Sequence, residues 1–243
     1  MMEQSKYKVL NRDAIKYIAM LTMFLNHVAN IFLTPGTILY EVLVDIGYFT
    51  AITMCYFLVE GYQYTHSKKN YGIRLLFFAI LSEYPFLFAF HGHGVGMNMM
   101  FTLFICFLIL VVREKVKNDS LKNILVVLLV IVTAISDWAI LAAVYTIMFD
   151  EWRGNPEKIR KAYGIAIVLF GLLNLISNVE MYDIPKAFLC AVGSRMGIVC
   201  SGLVIQIFYN GKRAKYGTKF SKWFFYIFYP AHLLLLGFVN QMF

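Results

Sequence analysis

Residues 124–149 read ILVVLLVIVTAISDWAILAAVYTIMF, and Asp137 is the single charged residue in the run. Drawn as one long helix, the run would put the basic segments on either side of it on opposite faces of a membrane. Drawn as a hairpin turning at Ser136–Asp137–Trp138, it returns both to one face. The arms are then roughly 16–24 Å long at 1.5 Å per residue, short against a hydrocarbon core of about 30 Å. A tip that stops below the far surface needs protein or a water-filled cavity around its backbone. A tip at a locally thinned interface would instead use Trp138 as a belt residue. The sequence leaves both readings open.

The flanking sequence favours the hairpin. With its arms at 121–136 and 139–149, further apolar stretches fall at 14–34, 45–65, 74–91, 98–113, 162–178, 187–209 and 223–242. Basic clusters follow every second stretch: Lys6–Lys16, Lys68–Arg74, Arg113–Lys122, Arg153–Lys161 and Lys212–Lys222. Of the 22 Lys and Arg, only Lys186 and Arg195 lie outside these clusters. An excess of Lys and Arg marks cytoplasmic loops, so the N-terminus is expected inside and the C-terminus outside. The first stretch begins too late, and carries too many polar residues, to read as a cleaved signal peptide.

Composition agrees. The chain has 243 residues, 60% hydrophobic and 15% charged, where a soluble domain is usually about 45–50% apolar and about 25% charged. Mean hydropathy is +0.67. These figures exclude soluble, disordered and disulfide-scaffold classes. The net charge of +8 is a topology signal, so no nucleic-acid partner is expected. Cys55, Cys106, Cys190 and Cys200 fall inside apolar stretches without a CxxC pair and read as small core residues. The expectation is an all-α, polytopic transmembrane helical bundle of about nine to ten spans. It forms one domain over residues 1–243, without internal repeats.

Ionisable groups at mid-bilayer cost about 2.5–3.5 kcal/mol each even on the gentlest scale, so each needs a reason. Counting from the cytoplasmic end, His27 lies about 16 Å above Lys16, Glu83 about 13 Å above Arg74, and His232 about 15 Å above Lys222. Arg195 lies about 13 Å in from Lys186 on the outer side. Four spans thus bring ionisable groups to one depth, as a single polar chamber would require. Each also has a plain structural reading: His27 as an interhelical hydrogen-bonding group, Glu83 and Arg195 as an ion pair, Glu60 as an interfacial residue. Pro85 and Pro230, two residues from Glu83 and His232, are expected to break those helices beside the chamber. His91 and His93 in HGHGVG lack a third ligand, so no metal is expected.

Several strings carry a family resemblance: IKYIAMLTMFLNHVANIF, YFLVEGYQYTHSKKNY, RLLFFAILSEYPFLFAF, MFTLF, SDWAILAAVY, IFYNGKRAKY and FFYIFYPAHLLLL. In order and over nearly the whole chain, they resemble the TraX family. That resemblance implies a bacterial cytoplasmic-membrane protein that acetylates a pilin amino terminus. The family is similar to the acyltransferase-3 and heparan-glucosaminide acetyltransferase families, whose members pass acetyl from cytoplasmic acetyl-CoA to an acceptor across the membrane. Those relatives place a basic or polar residue, ten intervening residues and then a catalytic histidine, the spacing of Lys16 and His27. Departures are Asn26 in place of an acidic residue, Tyr48 in place of an Arg, and Lys16 in place of the Arg of the acyltransferase-3 motif.

On this resemblance His27 is the general base or acetyl carrier. Glu83 or Asp137 orients it, and Arg195 or His232 steadies the oxyanion or the acceptor. The anionic donor acetyl-CoA would lie near Lys16, Glu60, Lys68, Lys69 and the Gly211–Lys212–Arg213 turn, where backbone N–H groups can approach a phosphate. Membrane lipid surrounds the site, and the acceptor is a pilin, another peptide or a glycan. Two other classes fit the same residues: a proton-coupled transporter, and a non-catalytic membrane subunit of a conjugation or secretion system.

Overall fold

The structure, a computed structural model, describes residues 7–90 and 96–242. His91 and His93 lie outside the described residues. The described residues form nine α-helices: α1 (Arg12–Phe32), α2 (Ile38–Tyr64), α3 (Lys68–Ala89), α4 (Met99–Lys115), α5 (Asp119–Val132), α6 (Leu141–Glu151), α7 (Pro156–Val179), α8 (Ile184–Leu203) and α9 (Thr218–Asn240). The all-α expectation holds, and each predicted apolar stretch contains one helix.

Capping explains where many of them start. The side chains of Asn11, Ser67, Asn98, Asn118 and Asn155 each accept a hydrogen bond from an N–H of the first turn of α1, α3, α4, α5 and α7. Pro156 at the start of α7 spends no donor there.

Six helices are long and apolar enough to cross a membrane: α1, α2, α3, α7, α9, and α8 continued by a π-helical turn to Phe208. The other three have 17, 14 and 11 residues. The short α4 is buried along most of its length, whereas α5, equally apolar, has no buried residue, the pattern of a helix turned to lipid.

Three expectations are corrected. First, α2 begins at Ile38 rather than 45, because Thr37 caps it after the Pro35–Gly36 turn, so Glu41 and Asp45 are helical. Second, α3 and α9 run on through Pro85 and Pro230 instead of breaking there. Third, Cys55 and Cys106 are core residues, but Cys200 is exposed and Cys190 only half-buried.

The chain forms two compact units, Met1–Met54 with Gly154–Phe225, and Cys55–Arg153 with Tyr226–Phe243. The boundary falls inside α2 and α9. In the first unit, Thr50 donates to the Ala19 carbonyl at 2.6 Å and meets the Thr22 hydroxyl at 2.8 Å, joining α2 to α1. The Ser201 hydroxyl on α8 meets Thr53 of α2 at 2.7 Å and Tyr163 of α7 at 3.2 Å. Below it, α8 touches α2 backbone to backbone at Gly197, where an added Cβ would strike the Asp45 carbonyl and lie 2.7 Å from the Phe49 nitrogen. Gly197→Ala is therefore expected to force the helices apart and cost about 1–3 kcal/mol, read as a lower melting temperature of the purified protein. Cys200→Ala, on the exposed face of α8, should leave it unchanged.

In the second unit, Gly72 of α3 receives the Phe107 ring of α4, and Tyr62 and Tyr71 meet the same ring edge-on at 5.4 and 5.5 Å. The hairpin is real: α5 passes through a 3-10 turn at Thr133–Ile135, and the chain reverses over Ser136–Ile140 into α6. The Thr133 hydroxyl closes the reversal, donating to the Val130 carbonyl at 2.6 Å and accepting from the Ile140 N–H at 3.0 Å. Trp138 and Ile140 have φ of +57° and +56°. For a β-branched isoleucine that is a genuine outlier, of a kind that clusters at functional sites.

Candidate functional site

The second unit gathers its polar side chains around three consecutive residues where α4 begins. The Met97 carbonyl accepts from the Asp137 N–H and the Met97 N–H donates to the Ile135 carbonyl, both at 2.8 Å, docking the hairpin tip by its backbone. Asn98, fully buried, donates from Nδ2 to the Ala79 carbonyl at 2.8 Å and to Glu83 Oε2 at 2.6 Å. Its backbone N–H reaches the same carboxylate oxygen at 3.2 Å, while Oδ1 caps α4 through the Met100 N–H at 2.9 Å. The Met99 N–H donates to the Tyr229 hydroxyl of α9 at 3.3 Å. From the next turn of α4, Thr102 donates to the Asp137 carbonyl at 2.5 Å, and its hydroxyl lies 3.0 Å from that of Ser136.

Glu83, Asp137 and His232 are thus brought into one cluster. Glu83 is bonded to Asn98, Asp137 is docked by its backbone on Met97, and His232 sits one turn beyond Tyr229, 5.7 Å from it between centroids. His232 is 4% exposed, stacked on Phe228 at 4.8 Å, with Nδ1 2.7 Å from the Phe228 carbonyl. A carbonyl only accepts, so the neutral ring carries its proton on Nδ1 and Nε2 is its basic nitrogen.

The other residues expected in the second unit stand at other places. Lys68, in the first turn of α3, is ion-paired with Glu114 of α4 and lies over the Tyr62 ring at 4.4 Å. Those bonds, the lysine's first and the Tyr62 hydroxyl's second, hold the Glu114 carboxyl below its ordinary range. Lys69 is exposed and Glu60 half-buried.

In the first unit, His27 is 8% exposed on α1, three turns from Lys16, whose ammonium lies 5.3 Å from the Phe225 ring. Asn26 turns away from it to α2, donating to the Val44 carbonyl at 3.2 Å and packing on Gly47. Arg195 on α8 rests against Gly171 of α7 and donates from Nε to the Ala191 carbonyl at 2.9 Å.

The Gly211 turn has φ +73° and is strapped along the start of α1. Leu10 bridges Tyr209, the Arg12 N–H donates to the Lys212 carbonyl at 2.8 Å, and the Asp13 carboxylate accepts from the Ala214 N–H at 2.7 Å. The Lys212 N–H is taken by Asn210 Oδ1 at 2.9 Å. Two of the turn's donors are therefore used internally, and what it presents outward is the charge of Lys212 and Arg213, both exposed.

Sequence reasoning missed Asn98, Thr102 and Tyr229, and treated Asp45 as a span boundary. Asp45 lies two turns inside α2, its carboxylate against Gly193 of α8, a slot that a Cβ there would fill.

Long apolar helices, with buried histidines and hydrogen-bonded carboxylates among them, define a polytopic membrane protein whose interior is polar at chosen points. The chain belongs to the TraX family: residues 11–240 match the family described as TraX protein. It is 32% identical over 234 residues to the probable fimbrial assembly protein FimC, serogroup H1, of Dichelobacter nodosus, an alignment spanning 91% of this chain and 92% of that protein. No solved structure matches.

Proposed function

We propose that this chain is a bacterial cytoplasmic-membrane component of fimbrial or pilus assembly. The observation that carries the reading is the end-to-end likeness to a probable fimbrial assembly protein, with nearly every residue of both chains aligned. The basic loops put the N-terminus in the cytoplasm. The test is deletion of the gene in its native host, with surface fibres counted by electron microscopy and subunit mass measured by mass spectrometry. Fewer fibres or subunits of altered mass, restored by the parent gene, uphold the reading. Unchanged fibres of unchanged subunit mass sink it.

A second reading, acetyl transfer to a subunit of that fibre, is favoured by one arrangement: a buried His27 eleven residues after Lys16 on α1. Acetyl-CoA would donate. The acceptor amine or hydroxyl forms a bond to the acetyl carbon, the carbon–sulfur bond breaks, and the acceptor proton passes through His27 to the departing thiolate. Arg195, a cation of the same unit as His27, is then available to steady the oxyanion. Lys16, with Lys212 and Arg213 of the Gly211 turn, supplies charge for the donor phosphates. A change in subunit mass by one acetyl group in the deletion strain separates this reading from a purely structural role.

A further inference from the structure

At one end of the second unit, the C-terminal turns of α2, α4 and α6 and the first turn of α5 surround a cavity of about 340 Å³. Arg113 lines it, donating from Nε to Asp150 at 2.8 Å and through its NH2 group to Glu151 at 2.5 Å. Lys122 of α5 and Arg153 stand at the same cavity. Among the described residues Lys122 is ion-paired at 2.6 Å with the exposed Asp119, a bond worth little. Arg153 has no ion-pair partner among the described residues.

The cavity is therefore two-signed. Lys122 and Arg153 offer cations to an anion. Asp150 Oδ1 and Glu151 Oε1, the carboxylate oxygens outside the Arg113 pairs, and the negative ends of three helix dipoles offer sites to a cation. A purely anionic ligand would meet the carboxylates and the dipoles, and a purely cationic one would meet Lys122 and Arg153. A phosphate carrying a primary ammonium satisfies both, because the ammonium has three donors for carboxylate oxygens and the phosphate takes charge-assisted bonds from Lys and Arg. From Lys122, α5 runs away from the cavity with Ile124, Val127, Leu128 and Ile131 exposed along one stripe, a surface suited to acyl chains.

We propose that this cavity binds the phosphoethanolamine group, borne on a membrane lipid or free in solution. The site stands apart from both functional readings above, and neither is needed for it. The test measures the melting temperature of the purified full chain in detergent against rising concentrations of short-chain phosphatidylethanolamine, phosphatidylcholine and phosphatidylglycerol, and of free phosphoethanolamine. Phosphatidylethanolamine should raise it saturably, with a half-saturating concentration at least about tenfold below those of the other two lipids, one lacking N–H donors and the other the cation. The double variant Lys122→Gln, Arg153→Gln should shift that half-saturation about tenfold upward. If free phosphoethanolamine acts in the same concentration range, the ligand is soluble; if only the lipid acts, it is a lipid. Equal half-saturation for all three lipids overturns the proposal, and so does an unshifted double variant. The lipid comparison on the parent protein holds even if the variant fails to fold.

Discussion

Asn98→Ala is expected to destabilise the protein by about 2.5–4 kcal/mol, among the largest effects of any single substitution in the second unit. Two losses combine. The Oδ1 cap on the Met100 N–H disappears, which costs about 1 kcal/mol in an ordinary helix. Glu83 also loses its 2.6 Å donor while still half-buried among α3 and α4 side chains, and hydrogen bonds to charged groups contribute about 1.5–3 kcal/mol. Because the same three residues hold the hairpin tip and Tyr229, the damage should spread to α5 and α6.

The two losses can be separated by measurement. Asn98→Ser keeps a cap acceptor but cannot reach Glu83, so it should recover only about 1 kcal/mol. In a Glu83→Gln background, Asn98→Ala should cost about 2 kcal/mol less than in the parent, because the carboxylate it would strand is gone. Detergent melts of the four proteins close the cycle. Additive effects would mean that the Asn98–Glu83 bond contributes nothing beyond the cap.

How much of this was legible in the sequence depends on what kind of information each feature needs. The hairpin was, because one aspartate in an otherwise apolar run, set between basic loops, leaves few other ways to satisfy the charge rule. Position along a helix was legible too, since it follows from counting residues. Direction around the helix was less so. Cys200 sits in an apolar run like its neighbours, but the buried face of α8 is the stripe Ala187, Ala191, Ser194, Ile198, Ser201, and Cys200 falls beside it. That stripe of small residues at helical spacing was a readable signal.

Asn98 was legible only as a helix start. That it also holds Glu83 depends on α3 and α4 lying side by side, which no local pattern states. Asp45 was hidden for a related reason: hydropathy ends a span at the first charge, whereas the helix itself ends where its cap is, at Thr37. Nor does the sequence reveal that the donors of the Gly211 turn are spent on Asn210 and Asp13, because a glycine turn beside lysines looks the same whether its N–H groups face a phosphate or the protein.

His27→Gln is expected to separate a catalytic protein from a structural one. If His27 takes the acceptor's proton, the amide cannot replace it, and acetyl transfer should fall by roughly 10²–10⁴-fold. Binding of acetyl-CoA should survive, since the thioester end contributes little of the ligand's charge. A histidine that only bonds across helices predicts the reverse: glutamine tolerated, alanine failing through lost stability. His232→Gln is the matched comparison, because His232 is buried as deeply but spends Nδ1 on its own helix carbonyl at 2.7 Å. Each variant is purified, its melt recorded, and donor binding, acetyl transfer and restoration of fibres in the deletion strain measured separately. A folded His27→Gln protein that binds acetyl-CoA, transfers no acetyl and leaves subunits lighter by one acetyl group ties the assembly role to chemistry at α1. If both glutamine variants restore fibres of parental subunit mass, neither histidine moves a proton in this protein, and its part in assembly rests on what its helices hold together.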